Sequence, residues 1–251
     1  MVGEILKISR TKAQNLIKDG YVFVDNKMVD KASFGLVGDE NITINEHDSY
    51  VSRGAYKLIK ALDEFGVNPS GKVVLDMGAS TGGFTQVLVD RGATKVYSVD
   101  VGKGELDPQI AKMQQVVNME GRDIRSLTKE EVGDCKLVVG DLSFISLTKI
   151  LPQINMVLGK IECAILFKPQ FECGKDLAKK YRGVIKDKAV HKRLLREFKQ
   201  EIEVWGYSIS NLTYSPIKGG SGNIEYLVHL NGQNKELIDI DKIVDEGFEK
   251  L

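Results

Sequence analysis

The chain of 251 residues carries no net charge, because 35 Lys and Arg residues balance 35 Asp and Glu. That excludes a uniformly basic sleeve for nucleic acid and leaves room only for a local patch. It holds just three cysteines, Cys135, Cys163 and Cys173, with no C-x-x-C pair and no histidine at ligand spacing. An odd, scattered set supports neither a disulfide framework nor a zinc site, so reduced thiols, no metal and a cytoplasmic location are expected. Long apolar runs are missing too: Cys163–Phe167 is five residues, against about 20 needed to cross a bilayer. No signal peptide opens the chain and no internal repeat runs through it, so a soluble protein with no membrane partner is expected. His47, His191 and His229 are too scattered for a ligand cluster and receive no role. What remains, 42% hydrophobic and 28% charged residues, is enough for one large domain or a small one plus a medium one.

Charge is concentrated locally. Residues 168–199 carry eleven basic and four acidic side chains, a net +7, whereas residues beyond Gly232 are acidic. The basic stretch is either a docking surface for a polyanion or a solvated lysine-rich loop and helix.

Residues 9–19 place Ala13, Leu16 and Ile17 on one helical face, with Ser9 as N-cap and Gly20 as stop. Tyr21–Val24, a turn at Asp25–Lys27 and Met28–Val29 read as a hairpin, with a further strand over 38–44. This thin module leads to a boundary near residue 47, giving domains over 1–46 and 47–251. A helix follows through Leu58, Ile59, Leu62 and Phe65. Apolar runs at 73–75, 96–99, 116–117, 137–139 and 164–167 then alternate with helical stretches, which argues a parallel, doubly wound sheet. After a helix at about 188–205, runs at 207–213 and 224–230 are close enough in sequence for an antiparallel pair, and a surface helix ends the chain.

Strand 73–75 leads into Asp76-Met-Gly78-Ala-Ser-Thr-Gly82-Gly83-Phe84-Thr85, a glycine-rich turn at the carboxyl end of the first strand, where open α/β sheets bind ligands. Asp100 ends the next strand, where a carboxylate can accept hydrogen bonds from both hydroxyls of a ribose. A dinucleotide fingerprint would read G-x-G-x-x-G. The spacing here is Gly78-x-x-x-Gly82-Gly83 with Asp76 just ahead, and a carboxylate beside the turn suits a cationic ligand, such as the amino-acid end of S-adenosylmethionine, better than a pyrophosphate.

Seven stretches together resemble one family: Ser9-Arg-x-x-Ala13 through the hairpin, Val51-Ser-Arg-Gly54-x-x-Lys57-Leu58, Asp76 to Phe84, Asp100-Val-Gly102, Asp141-Leu-Ser-Phe-Ile-Ser146, Lys168-Pro-Gln-Phe-Glu172 and Gly222-Asn-Ile-Glu225. They are similar to the TlyA ribosomal RNA cytidine 2′-O-methyltransferases, historically called haemolysins, within the FtsJ-like methyltransferases. The resemblance implies a Rossmann-like α/β fold of class I S-adenosylmethionine-dependent methyltransferases, with seven mostly parallel strands and the last antiparallel. It also implies a small N-terminal S4-like α+β RNA-binding module over 1–46, here expected to lack its first helix. Where the family reads Glu-Arg-Thr-Asn, this chain reads Glu120-Gly-Arg-Asp123-Ile124.

The resemblance maps a catalytic set onto Lys57, Asp141, Lys168 and Glu225. A ribose 2′-hydroxyl is a poor acid and needs a partner for its proton while the oxygen attacks a sulfonium methyl. Lys168 is the expected partner, with Lys57 depressing its pKa and Asp141 and Glu225 orienting it. The donor S-adenosyl-L-methionine is expected on Asp76, Gly78, Ala79, Ser80, Thr81, Gly82, Gly83, Phe84, Asp100, Val101, Asp123, Ile124 and Asp141. The partner is expected to be ribosomal RNA or an assembled ribosomal subunit, met by Arg10, Lys12, Lys18, Arg53, Arg182 and the basic stretch from Lys175 to Lys199. Tyr181-Arg182-Gly183 reads as part of a lid, and the target nucleotide is expected to be extruded. The competing readings are an NAD(P)-dependent oxidoreductase, which lacks its fingerprint here, and a membrane-active cytolysin, which lacks an insertable segment.

Overall fold

The computed structural model describes residues 4, 10–18, 22–25, 27–29, 31–36, 40–44, 50–232 and 237–251. It divides into two compact units, residues 1–53 and 54–251. Residues 46 and 47, where the sequence places the boundary, lie outside the described residues, as do Ser9, Gly20 and Gly38.

In the first unit, helix α1 (Arg10–Lys18) precedes strands β1 (Val22–Val24), β2 (Lys27–Met28) and β3 (Ile42–Ile44). The strands form an antiparallel sheet in the order β2-β1-β3, with Phe23 opposite Met28 and Val22 opposite Ile44. Ala13 and Val22 are buried, with Leu16, Ile17 and Ile42 against them, so the apolar face of α1 covers the sheet as its spacing requires. Glu4 is helical, but its neighbours lie outside the described residues, and with them the question of a first helix.

The second unit opens with α2 (Gly54–Phe65), then β4 (Val73–Met77), α3 (Gly83–Asp90), β5 (Lys95–Asp100), α4 (Pro108–Ala111), β6 (Val116–Glu120), α5 (Lys129–Val132), β7 (Leu137–Gly140), α6 (Leu151–Leu158) and β8 (Cys163–Phe167). There follow α7 (Pro169–Glu172), α8 (Gly174–Lys180), α9 (Lys188–Val204), β9 (Ile209–Tyr214), β10 (Tyr226–Leu230) and α10 (Ile240–Lys250). The sheet order is β6-β5-β4-β7-β8-β10-β9. Strands β4 to β8 are mutually parallel, and β10 runs antiparallel to both neighbours.

Every residue of β7, β8 and β10 is buried, because helices cover both faces; continuous apolar runs rather than alternation mark such strands. The order reverses between β4 and β7, which opens a crevice at the carboxyl ends of those strands. No helix of the described residues is long and apolar enough to cross a membrane. Helix α10 is less superficial than its composition suggests: Ile240, Val244 and Gly247 are buried, and Phe248 meets His191 edge-on at 5.0 Å between ring centroids.

Candidate active site

The turn after β4 is built for close approach. Gly78 turns at φ +82°, Ser80 at +46° and Gly82 at +98° before α3 starts at Gly83. A Cβ on Gly78 would come within 3.1 Å of the Asp141 carbonyl oxygen, and one on Gly82 within 2.8 Å of Leu106. Glycine is needed at both positions for backbone angle and for space. The turn is tied to β5 by Gly78 and Ala79, whose N–H groups donate to the Val99 carbonyl at 2.9 and 3.1 Å.

Asp76 is fully buried. Its Oδ2 accepts the Thr85 hydroxyl at 2.7 Å, Thr85 Oγ1 lies 2.7 Å from Ser98 Oγ, and Oδ1 has no hydrogen-bond partner. Burial pushes the Asp76 carboxyl up to about 7, against the Thr85 hydrogen bond and with help from the charges of Asp141 and Asp100. Asp100 accepts the Ser80 N–H on Oδ2 at 2.9 Å and the Gly102 N–H on Oδ1 at 2.8 Å.

A cavity of about 600 Å³ opens beside this turn, within the range of about 300–1,000 Å³ usual for small-molecule sites. Gly78, Ser80, Asp100, Val101, Asp123, Ile124 and Asp141 of the predicted set line it. Ala79, Gly83 and Phe84 are buried instead, and the Thr81 carbonyl accepts the Asp107 N–H at 3.1 Å. Asp123 is engaged by its own neighbour: the Arg125 side chain donates to both its oxygens, and hydrogen bonding to Arg125 holds its pKa down at about 2.

The four predicted catalytic side chains meet at the carboxyl edge of the sheet. Lys168 Nζ lies 2.6 Å from Asp141 Oδ1, and Lys57 Nζ lies 3.5 Å from Asp141 Oδ2 and 2.7 Å from Glu225 Oε2. Asp141 therefore stands between the two lysines, one oxygen to each. Lys57, Lys168 and Glu225 are buried, and buried charges persist only when paired in this way. Burial opposes the charge on Lys57, but Asp141 and Glu225 outweigh it and raise its pKa above the ordinary lysine value. Burial likewise opposes the Asp141 carboxylate, yet Lys57 and Lys168 hold its pKa below the ordinary value.

Topology explains the convergence. Asp141 and Lys168 directly follow β7 and β8. Strand β10 pairs Tyr226 with Phe167 in antiparallel register, so Glu225, just before β10, falls beside Lys168, just after β8. Lys57 comes from the first turns of α2, on the face that also buries Ala55, Leu58, Ala61, Leu62 and Phe65.

Sequence reasoning missed four neighbours. Ser143 Oγ accepts from Lys168 Nζ at 2.9 Å, and Gln170 Nε2 donates to Glu225 Oε1 at 3.0 Å. Glu172 accepts the Ser146 hydroxyl at 2.6 Å and the Leu147 N–H at 2.8 Å; burial raises its pKa. Phe144 is 91% exposed at φ +64°, with Phe171 at 5.0 Å between centroids. All four sit inside the Asp141–Ser146 and Lys168–Glu172 motifs, which were the available signal.

The basic stretch is only partly available. Lys188 and Lys192 pair with Asp245 at 3.2 and 2.9 Å, Lys192 also with Asp241 at 3.5 Å, and Arg196 with Asp241. Within Lys175–Lys199, expected as a whole to meet phosphate, these acids therefore compete with phosphate for Lys188, Lys192 and Arg196. Lys175, Lys179, Lys180, Arg182 and Lys186 carry no ion pair among the described residues. Asn223 donates to the Gly183 carbonyl at 2.8 Å and accepts the Ile185 N–H at 3.0 Å, which anchors the loop after Arg182 two residues from Glu225. Arg10 is exposed on α1, Arg53 is half-buried, and the side chains of Lys12 and Lys18 lie outside the described residues.

Residues 50–232 match the FtsJ-like methyltransferase family and residues 6–42 the S4 domain. Hemolysin A of Brachyspira hyodysenteriae is 41% identical over 225 residues, covering 88% of this chain and 93% of that protein. The 16S/23S rRNA (cytidine-2′-O)-methyltransferase TlyA of Mycobacterium tuberculosis is 36% identical over 241 residues, covering 94% of this chain and 90% of that one. Among solved structures, one described as a hemolysin from Streptococcus thermophilus shares 30% identity at a TM-score of 0.78 and covers 96% of this chain and 91% of its own. The chain belongs to the FtsJ-like methyltransferases and, within them, to the family of the TlyA and hemolysin A proteins.

Proposed function

We propose that this protein methylates the 2′-hydroxyl of a cytidine in ribosomal RNA, using S-adenosyl-L-methionine, and acts in the cytoplasm on RNA or an assembled subunit. The observation that carries this reading is the chain Lys168, Asp141, Lys57, Glu225, all but Asp141 buried, joined at 2.6–3.5 Å beside the cavity. The base is taken from the Mycobacterium tuberculosis relative, whose name specifies cytidine.

The cavity residues fit the donor. Asp76, fully buried two residues before the cavity-lining Gly78 and not itself part of the lining, keeps an unmet oxygen whose charge favours a cationic amino-acid end at the turn. Asp100 spends two of its roughly four acceptor positions on backbone N–H groups, which leaves two for ribose hydroxyls. Ile124 and Val101 offer apolar faces to adenine, and Asp123 a carboxylate to its amine once Arg125 shares it. Gly78 to Phe84 supply the close turn and its support.

When bound, the donor supplies a methyl group on a cationic sulfur, so one positive charge leaves the site as the hydroxyl's proton enters it. For the transfer Lys168 Nζ enters as the neutral amine and takes that proton, and Asp141 stabilises the ammonium so formed. Lys57 stays charged and holds Asp141 and Glu225 in place. Phe144 offers an exposed aromatic face on which an extruded base stacks. Residues 1–46 and the basic side chains Arg10, Lys12, Lys18, Arg53 and Arg182, with the lysines around α8 that carry no ion pair among the described residues, hold RNA phosphates, while residues 47–251 perform the transfer.

The test is incubation with radiolabelled donor and unmodified ribosomal subunits in parallel, with label mapped by nuclease resistance at the 2′ position. Label on a cytidine is the expected result. Donor binding without any label on RNA would overturn the substrate, and no donor binding would overturn the reaction.

A further inference from the structure

The segment Lys168-Pro169-Gln170-Phe171-Glu172 is short, and nearly every side chain in it touches the site. Its backbone forms one closed turn: the Phe171 and Glu172 N–H groups donate to the Lys168 carbonyl at 2.9 and 3.3 Å, and Cys173 to that of Pro169 at 3.0 Å. Pro169 at the first helical position presets the turn. Lys168 faces Asp141 and Ser143, as described.

Gln170 points the other way along the cluster. Its amide Nε2 meets Glu225 Oε1, while Lys57 holds Oε2, so both Glu225 oxygens are occupied and the carboxylate plane is fixed. A carboxylate only accepts, so the amide must present its nitrogen to it. Gly219 closes the remaining side: a Cβ there would lie 2.4 Å from Glu225 Oε1.

Glu172 reaches back to the loop that carries Asp141, Ser143 and Phe144. It accepts from Ser146 Oγ and Leu147 N, and Ser146 Oγ also lies 2.8 Å from Thr148 Oγ1. The start of the short 3-10 turn Leu147–Lys149 is thereby pinned to the turn that begins at Lys168. Phe171 supports Phe144 from the same side.

From these contacts we infer that Gln170 and Glu172 are positioning residues for methyl transfer: Gln170 sets the Glu225 carboxylate, and Glu172 sets the 141–147 loop against Lys168. The inference rests on the methyltransferase reading above. A misplacement of about 1 Å in such a cluster costs on the order of a hundredfold in rate, so loss of either contact should reach turnover before it reaches binding.

Four proteins separate the outcomes: wild type, Gln170→Met, Glu172→Ala and Glu172→Gln. The readouts are S-adenosylhomocysteine affinity by calorimetry, kcat and KM on unmodified ribosomal subunits, and amide hydrogen exchange over residues 142–147. Gln170→Met and Glu172→Ala should lose about tenfold or more in kcat, with KM and affinity within about twofold of wild type. Glu172→Ala should speed exchange over 142–147. Glu172→Gln, whose amide can accept from Leu147 and donate to Ser146 Oγ, should restore both kcat and exchange. Unchanged kcat in the first two variants would overturn the inference, and so would equal losses in kcat and affinity, which mark general disruption. If wild type itself places no label on RNA, the substrate reading fails, while hydrogen exchange alone still decides whether Glu172 orders the loop.

Discussion

Glu225 and Lys57 lie 168 residues apart in the chain and 2.7 Å apart in space. Both are buried, so removal of Lys57 leaves Glu225 with only the neutral Gln170 amide beside it, at a cost of about 3–5 kcal/mol, whereas removal of Glu225 leaves Lys57 still paired with Asp141 at 3.5 Å. Lys57→Met should therefore lower Tm by roughly 6–20 °C for a domain of this size, and Glu225→Leu by less. The double variant Lys57→Met/Glu225→Leu should lose less than the two single variants summed. Thermal melts of wild type, the two single variants and the double variant check this, and strictly additive losses would show the pair to be uncoupled.

Lys168→Ala should bind S-adenosylhomocysteine as wild type does and lose about a hundredfold to ten-thousandfold in turnover. Calorimetry and label incorporation provide the two numbers. A variant that methylates at a near-normal rate would remove Lys168 from the mechanism.

Asp76 should make donor binding depend on pH. The folded chain holds its proton up to about pH 7, while an ordinary carboxyl near 3.8 has released it. Between these values the group stabilises the fold less as pH rises, and Asp76→Asn should flatten that slope. A cationic ligand favours the ionised form, so donor binding near pH 6.5 should release a proton. Calorimetric heats in buffers of different ionisation enthalpy measure the release, which should vanish in Asp76→Asn; if it persists there, another group is responsible.

RNA binding should fall steeply with salt. Lys179→Ala and Lys180→Ala should each reduce the slope of log K against log salt by about one if each meets a phosphate. Lys192→Ala should leave the slope unchanged, because Asp241 and Asp245 already hold that ammonium. Filter binding across a salt series tells the two classes apart.

The parallel strands are legible in the sequence because burial on both faces turns each into an unbroken apolar run, as in Cys163–Phe167. The donor turn is legible because glycine spacing and Asp76 are local. Lys57, Asp141, Lys168 and Glu225 are placed at element ends by pattern, but only resemblance joins them into one set. Their contacts depend on the antiparallel register of β10, which no local pattern encodes. The charge sum over 168–199 misleads for a similar reason: the acids that neutralise Arg196 and Lys192 lie 45 and 53 residues further on. Gln170 and Glu172 are invisible as positioning groups until the partners of their side chains are known.

Strand β10 is made last and inserted between two strands made before it. The cavity beside the glycine turn draws on residues 78–150, so a growing chain owns all of its lining well before it owns Glu225. Synthesis thus passes through a stage at which every residue of that lining has been made and the charge cluster still lacks Glu225, the last of its four members in the chain.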